Sequence, residues 1–230
     1  MDKTGYFGSE CNGGFAEYTK AKAKGVGVVH SNLSDAELAT FSCSYTTAEG
    51  MLARANVGEG DTVLVPGASG GVGSALLQLA KRRKARVIAM SSASKHEQLK
   101  PLGPDLMIDR SPDNLAAVLK DERVTVVADV VGGSMWPQLI GVLERGGRYV
   151  CSGAIAGPIV EFDLRTFYLR DLTLMGSTVI PLHIFGDVIP YVERSEIKPL
   201  IAAIYPLEKL REAQTAFISK KHVGNIVVEP

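Results

Sequence analysis

Apolar and polar positions alternate in regular blocks between about residue 61 and residue 178. Short apolar runs, rich in β-branched residues, predict buried strands, and segments with apolar residues at helical spacing separate them. The predicted strands are 62–65, 86–90, 106–108, 124–130, 148–151 and 172–176. Strands that alternate with helices predict right-handed βαβ crossovers. We therefore expect a doubly wound α/β fold, in which a parallel sheet is covered on both faces.

The two ends of the chain have a different pattern. Two short strand-like runs occur at residues 15–18 and 25–29. Ser34 and Glu37 form a capping-box pattern, which predicts the start of a helix. Beyond residue 178 the pattern predicts helices and a last strand, at 185–194, 207–219 and 225–228.

Composition excludes several classes of protein. The 25 Lys and Arg residues balance the 25 Asp and Glu residues, so no basic surface for nucleic acid or anionic lipid is expected. No apolar run approaches the roughly 20 residues that cross a bilayer, and the first residues lack the apolar core of a signal peptide. The three cysteines are far apart, which predicts a reduced, cytoplasmic protein without a disulfide framework.

A glycine-rich turn, here named the cradle, follows the first predicted strand and opens the next helix. It comprises Gly67, Ala68, Ser69, Gly70, Gly71, Val72 and Gly73. In a dinucleotide-binding fold such a helix offers free N–H groups and a partial positive charge to a pyrophosphate. We expect Gly70 to leave room for the phosphates and Gly73 to let the helix pack closely on the sheet. The strand–turn–helix setting favours a dinucleotide site over a purely structural turn.

The residues after the second predicted strand bear on which dinucleotide binds. Proteins that bind NAD carry an acidic residue about 20 positions beyond the glycine motif, where it binds the ribose hydroxyls. Here Ser91, Ser92 and Lys95 follow the strand, and residues 91–95 contain no Asp or Glu. Hydroxyl and ammonium groups bind a 2′-phosphate by charge-assisted hydrogen bonds, so the sequence predicts NADP(H). In the alternative interpretation, Ser94 caps a helix and Lys95 is a solvated surface residue.

Motifs that carry a family resemblance occur in order along the chain, at residues 13–18, 43–48, 59–65, 67–73, 146–148 and 222–227. Together they resemble the medium-chain dehydrogenase/reductase superfamily, in its zinc-type alcohol dehydrogenase branch. The resemblance implies that residues 44–178 form the Rossmann dinucleotide-binding domain. Residues 1–43 and 179–230 would then be the remnant of a GroES-like catalytic domain, in a chain truncated at its N-terminus.

The resemblance implies roles for two residues that precede the cradle. Cys43 stands where the family has its third catalytic-zinc ligand, and the alternative is a buried structural cysteine. A catalytic zinc takes three protein ligands plus water or substrate, so this thiolate alone is expected to hold zinc weakly or not at all. Thr47 stands where zinc-type members place a residue against the nicotinamide. The alternative is a helix threonine that bonds to its own backbone.

Further candidates lie at the carboxyl ends of the later strands. Gly153, Ala154 and Ile155 come just beyond the fifth strand, at the edge where parallel sheets bind ligands, and resemble the segment that lines the nicotinamide. The sixth strand is expected at an edge of the sheet, where unpaired backbone groups invite pairing. Family members commonly dimerise there, which predicts a homodimer.

These observations together predict an NADP(H)-dependent oxidoreductase. It would transfer hydride between the nicotinamide and a small alcohol or carbonyl substrate, with zinc as a cofactor only where the other ligands are present. One alternative is a zinc-free quinone or enoyl reductase of the same superfamily, which Ala68 favours and Cys43 disfavours. The other is a nucleotide-binding fragment without catalysis.

Overall fold

The strands form two sheets in the computed structural model, which describes residues 7–230. Six strands lie in the order β3-β2-β1-β4-β5-β6, and β7 pairs with β8. Their bounds are β1 (Thr62–Pro66), β2 (Arg86–Met90), β3 (Leu106–Ile108), β4 (Val124–Asp129), β5 (Leu143–Cys151), β6 (Thr173–Gly176), β7 (Ile201–Pro206) and β8 (Asn225–Glu229). Every pairing in the larger sheet is parallel. This is the doubly wound Rossmann order, so the predicted fold class is confirmed.

Helices cover both faces of the larger sheet. They are α1 (Asp35–Ala39), α2 (Thr46–Arg54), α3 (Gly71–Arg82), α4 (His96–Leu99), α5 (Leu115–Val118), α6 (Trp136–Gly141), α7 (Leu164–Tyr168), α8 (His183–Glu193) and α9 (Leu210–Ser219). A π-helix, Phe41–Tyr45, leads directly into α2. Short 3-10 turns occur at Ala23–Gly25, Ala93–Lys95, Lys100–Leu102, Gly133–Met135 and Leu207–Lys209.

The buried strand residues divide between two cores, one on each face of the sheet. In β1, Val63 and Val65 pack with α2, α3 and α8, whereas Leu64 packs with α5 and α6 on the other face. All five residues of β1 are buried. A strand buried on both faces needs a continuous apolar run, because successive side chains point in opposite directions. This is why the sequence signal for β1 was clear.

The terminal segments only partly match the sequence pattern. The capping box is confirmed, since the Ser34 hydroxyl accepts from the Glu37 amide and the Glu37 carboxylate accepts from the Ser34 amide. The strands expected at residues 15–18 and 25–29 are wrong: neither segment is a strand. In the second segment Gly27 instead packs against Phe185 and Ile189 of α8. Apolar contact with a helix gives the same sequence signal as a buried strand.

The sequence pattern did not predict two elements, α2 and β7. Helix α2 is mostly buried, so it lacks the polar face that gives a helix its 3.6-residue period. Strand β7 alternates half-buried and exposed positions, and its exposed positions include Ala202 and Ile204. The expected sequence of alternate apolar and polar residues is therefore missing.

Strand β6 lies at one edge of the six-stranded sheet and pairs with β5, as the sequence predicted. The proposed division of the chain into residues 44–178 and two flanking segments stays a prediction. Within residues 7–230, no helix is both long enough and apolar enough to cross a membrane.

Candidate dinucleotide site

The cradle lies where the strand order reverses between β1 and β4, the position at which open parallel sheets bind ligands. The turn begins at Gly67, whose φ of +67° is in the left-handed region. Gly67 thus makes the sharp turn, one position before Ala68, whose methyl group is fully buried. Helix α3 then starts after Gly70, which supplies no side-chain cap.

The start of α3 has unsatisfied hydrogen-bond donors. Among the described residues, none accepts from the amides of Val72 and Gly73, whereas the Gly71 amide lies opposite Gly224 in the bridge between Gly70 and Gly224. The first amides of a helix need such acceptors, and the helix dipole adds partial positive charge there. This end of α3 can therefore bind an anion such as a diphosphate.

Each glycine of the cradle has its own neighbours. Among the described residues, a β-carbon on Gly70 would meet only the Gly67 carbonyl oxygen, at 3.6 Å, so the space beside it is open. A β-carbon on Gly73 would overlap the Gly67 carbonyl and lie 2.7 Å from the Ala68 α-carbon. Gly73 therefore allows the close packing that the sequence predicted. Gly71 is confined by the side chains of Ser44 and Asn225.

The contact at Gly71 brings distant segments to the cradle. The Ser44 hydroxyl, in the π-helix, donates to Asn225 Oδ1 at 2.7 Å, and Asn225 begins β8. The residue just before β8 also contacts the cradle directly, because the Gly224 amide donates to the Ser69 carbonyl at 2.8 Å. Sequence reasoning missed Ser44 and Asn225 because they lie 181 positions apart. A pair of this kind has no local sequence signal.

The predicted 2′-phosphate residues differ in accessibility. Ser91 is buried at 2% exposure, with its hydroxyl 3.5 Å from the Ser92 carbonyl oxygen. Ser92 is half-buried, and Ser94 is exposed and accepts no capping bond. The helix that Ser94 would cap in the alternative interpretation is a 3-10 turn, Ala93–Lys95, followed by α4.

Lys95 is not a solvated surface residue. Its ammonium group donates to the carbonyls of Lys220 at 2.8 Å and His222 at 2.9 Å, and lies 3.4 Å from the Ser69 hydroxyl. Burial lowers the pKa of Lys95, and the positive charge of Arg110 lowers it further. The alternative interpretation of Lys95 is therefore wrong, and the side chain lies against the cradle.

One carboxylate also reaches this loop. Asp109 follows β3, which lies next to β2, and its Oδ2 accepts from the Ala93 amide at 3.3 Å. The search for an acidic residue directly after β2 missed it, because Asp109 comes from the neighbouring strand.

The candidates for the nicotinamide side occupy two separate elements. Thr47 is half-buried in α2, and the backbone-bonded threonine is Thr46 instead, whose hydroxyl donates to the Ser42 carbonyl at 2.8 Å. Gly153 is half-buried after β5, whereas Ala154 and Ile155 are exposed. Behind them Asp129, fully buried at the end of β4, accepts from the amides of its own loop and from the Tyr149 hydroxyl.

The residues present do not fit a zinc ion. Cys43 is exposed in the π-helix, so its interpretation as a buried structural cysteine is wrong. No group of three or more His, Cys, Asp or Glu side chains in the described part of the chain is arranged to hold a metal.

Comparison with known protein families identifies the family to which this chain belongs. The sequence profile of the family described as zinc-binding dehydrogenase matches residues 71–194, which is more than half of the chain. The chain belongs to this family. It is thereby a member of the medium-chain dehydrogenase/reductase superfamily of oxidoreductases, and the resemblance seen in the sequence is confirmed.

Individual relatives span more than one kind of reductase and dehydrogenase. Acryloyl-coenzyme A reductase of Metallosphaera sedula is 30% identical, over 96% of this chain and 67% of its own. A Sinorhizobium meliloti protein described as a candidate alcohol dehydrogenase superposes with a TM-score of 0.94 at 44% identity, over 98% of this chain and 63% of its own.

A third relative has been solved with its ligands. The 2-octenoyl-CoA carboxylase reductase of a Streptomyces species, in complex with NADP and 2-octenoyl-CoA, superposes with a TM-score of 0.90 at 28% identity. The match covers 96% of this chain and 56% of that one. This chain thus spans between about half and two thirds of the length of these relatives.

Proposed function

We propose that the cradle and Lys95 bind NADP(H), and that the protein is an NADP(H)-dependent oxidoreductase. The observation that carries the proposal is the start of α3, where the amides of Val72 and Gly73 have no acceptor among the described residues and the space beside Gly70 is open. A diphosphate would satisfy these amides and favour the positive end of the helix dipole. When bound, the cofactor supplies or accepts the hydride.

Lys95 supports NADP(H) over NAD(H). Its ammonium group lies within 3.4 Å of the Ser69 hydroxyl, at the end of the cradle that faces the loop after β2. Arg110 adds a second positive charge, because its field acts on Lys95. Two cations favour a ligand that carries an additional phosphate. The NADP complex of the Streptomyces relative supports the same assignment.

The substrate class has two candidates. Reduction of an activated carbon–carbon double bond is supported by the acryloyl-CoA and 2-octenoyl-CoA reductases among the relatives and by the alanine in the cradle. Interconversion of an alcohol and a carbonyl is supported by the Sinorhizobium relative and by Cys43. We favour the enoyl substrate, which requires no metal ligand set from this chain. A nucleotide-binding protein without catalysis is the remaining alternative.

Nucleotide titration tests the cofactor assignment. We expect wild-type protein to bind NADPH more tightly than NADH, and Lys95→Ala to weaken NADPH binding about 10- to 100-fold, as loss of a charged hydrogen bond implies, with little change for NADH. Lys209→Ala, at an exposed lysine, is the matched control. Tighter binding of NADH by the wild-type protein would overturn the assignment.

A second variant tests the cradle itself. In Gly70→Val the extended backbone at residue 70 accepts the side chain, which then occupies the space beside Gly67. We expect both nucleotides to lose affinity while the thermal unfolding midpoint stays close to wild type. Unchanged binding in this variant would contradict a site at the cradle.

Turnover assays separate the substrate classes. Oxidation of NADPH should be followed with an enoyl-CoA, an enone, a quinone and an aldehyde under the same conditions. Turnover of the enoyl compounds alone supports the favoured class, and turnover of the aldehyde alone supports the alcohol dehydrogenase. Nucleotide binding without any turnover supports the third alternative.

A further inference from the structure

All three N–H donors of the Lys95 ammonium group have partners in this structure, and they are not equivalent. Two donate to backbone carbonyls, of Lys220 at 2.8 Å and of His222 at 2.9 Å. The third partner is the Ser69 hydroxyl at 3.4 Å, beyond the usual range of a strong hydrogen bond. An incoming phosphate oxygen would therefore replace the Ser69 contact at least cost.

The two carbonyls come from the end of a different element. Helix α9 ends at Ser219, and its C-cap, Lys220, is in the left-handed conformation with φ of 54°. This conformation reverses the chain after α9 and directs the carbonyls of Lys220 and His222 toward Lys95. The C-terminal end of a helix attracts cations, so the location suits an ammonium group.

The same segment is also tied to the cradle. The Gly224 amide donates to the Ser69 carbonyl at 2.8 Å, and Gly70 forms a bridge with Gly224. A β-carbon on Gly224 would overlap the backbone of Leu200, the residue just before β7. The segment between α9 and β8 is thus fixed at both ends, and its carbonyls have a defined place relative to the cradle.

We propose that the backbone carbonyls of Lys220 and His222 position Lys95 for a 2′-phosphate, which makes the segment after α9 a determinant of NADP(H) selectivity. The inference rests on the proposed function and adds a positioning element that lies more than a hundred residues from Lys95 in the sequence. The carbonyls hold the ammonium group in place before the ligand arrives, so binding costs less side-chain entropy.

The charges around Lys95 agree with this role. Burial lowers the pKa of Lys95, and the positive charge of Arg110 lowers it further. Burial also lowers the pKa of His222, and the charges of Lys95 and Lys220 lower it further. Among the described residues, neutral carbonyl dipoles and no carboxylate hold the ammonium group, so its positive charge stays available to an anion. A carboxylate partner would neutralise it.

The test compares two replacements of the residue that turns the chain. Lys220→Gly and Lys220→Val both remove the Lys220 side chain, but glycine favours the left-handed conformation and valine strongly disfavours it. The measurement is the ratio of the NADH to the NADPH dissociation constant. We expect this ratio to be at least fivefold smaller for Lys220→Val than for Lys220→Gly, with similar NADH affinity in both.

A second variant moves a carbonyl by a different route. Deletion of the exposed Lys221 shortens the segment between the two carbonyls, so they cannot both keep their distance from Lys95. The ratio should fall relative to wild type, while NADH binding reports that the cradle is intact. For each variant the thermal unfolding midpoint without nucleotide reports the fold.

The outcomes separate this inference from the proposed function. If wild-type protein binds neither nucleotide, or prefers NADH, the proposed function fails. If wild type prefers NADPH and Lys95→Ala removes the preference, but Lys220→Val and the Lys221 deletion keep the ratio of Lys220→Gly, the positioning role is overturned. If Lys95→Ala lowers only the unfolding midpoint, Lys95 merely caps α9 and the inference is likewise overturned.

Discussion

At the scale of single residues, glycines in similar sequence settings have different packing environments. Gly73 and Gly186 both lie inside helices, α3 and α8. A β-carbon on Gly73 would overlap backbone atoms of Gly67 and Ala68, whereas among the described residues nothing outside the helix's own backbone lies within 4 Å of the corresponding position on Gly186. Backbone atoms cannot move aside as a flexible side chain can. The two sites should therefore respond in opposite directions to the same substitution.

We expect Gly73→Ala to destabilise the protein by roughly 1–3 kcal/mol, because the added methyl group overpacks the contact between α3 and the cradle. Gly186→Ala should stabilise it by about 0.5–1 kcal/mol, since alanine is the better helix former. Urea unfolding of both variants measures the two effects. A similar shift in both variants would contradict the assigned role of Gly73.

Residue-scale prediction from the sequence succeeded where the signal was local. The open space at Gly70 and the close packing at Gly73 both follow from the spacing of the cradle. Ser91 and Lys95 were found from their place after β2, but not their burial or partners. The burial and the partners of these residues depend on which segments, distant in the sequence, pack beside them.

At the scale of elements, a buried hydrogen bond joins two neighbouring strands. The Tyr149 hydroxyl, on β5, donates to the Asp129 carboxylate at 2.6 Å, at the end of β4. Asp129 also accepts from the amides of Val131 and Gly132, so it orders the loop that follows β4. Burial raises the pKa of the Tyr149 phenol, and the charge of Asp129 raises it further.

This raised pKa predicts a loss of stability in alkali. The folded state keeps Tyr149 protonated, so its contribution is present in full below the unfolded pKa of about 10 and is lost as pH rises above that value. Burial raises the pKa of Tyr45 as well, so wild type should lose stability through both residues. Tyr149→Phe should reduce the slope above about pH 10 by up to about 1.4 kcal/mol per pH unit.

Urea unfolding between about pH 8 and pH 11 measures the slope. Tyr18→Phe is the matched control, because that ring is 90% exposed. At neutral pH, Tyr149→Phe should also cost about 1.5–3 kcal/mol, the range for a hydrogen bond to a charged group. Equal slopes for Tyr149→Phe and wild type would rule out the linkage.

At the scale of the whole molecule, the free edge of the larger sheet invites association. Among the described residues β6 pairs only with β5, and its outer edge carries no partner strand. Large apolar side chains are exposed on and beside α7, which precedes this strand: Leu164, Tyr168 and Leu169. We propose that two copies of the chain pair through this edge.

Sedimentation velocity tests the proposed homodimer. The molecular mass derived for wild type should be twice the 24.5 kDa of one chain. Thr173→Lys places a charge on the exposed edge of β6 and should shift the protein to monomer, because charges at a strand edge oppose pairing. Gln214→Lys, on the exposed face of α9, should leave the mass unchanged. A monomeric wild type would rule out the dimer.

The sequence by itself determined the doubly wound α/β fold class, the cradle and the family, because each has a signal within a few neighbouring residues. Buried strands need continuous apolar runs, and a phosphate turn needs glycines at fixed spacing. Only the tertiary structure decided that Ser44 and Asn225 confine Gly71 and that Lys95 lies on the end of α9. Contacts between segments more than a hundred residues apart depend on how the elements pack, and packing leaves no periodic trace in the sequence.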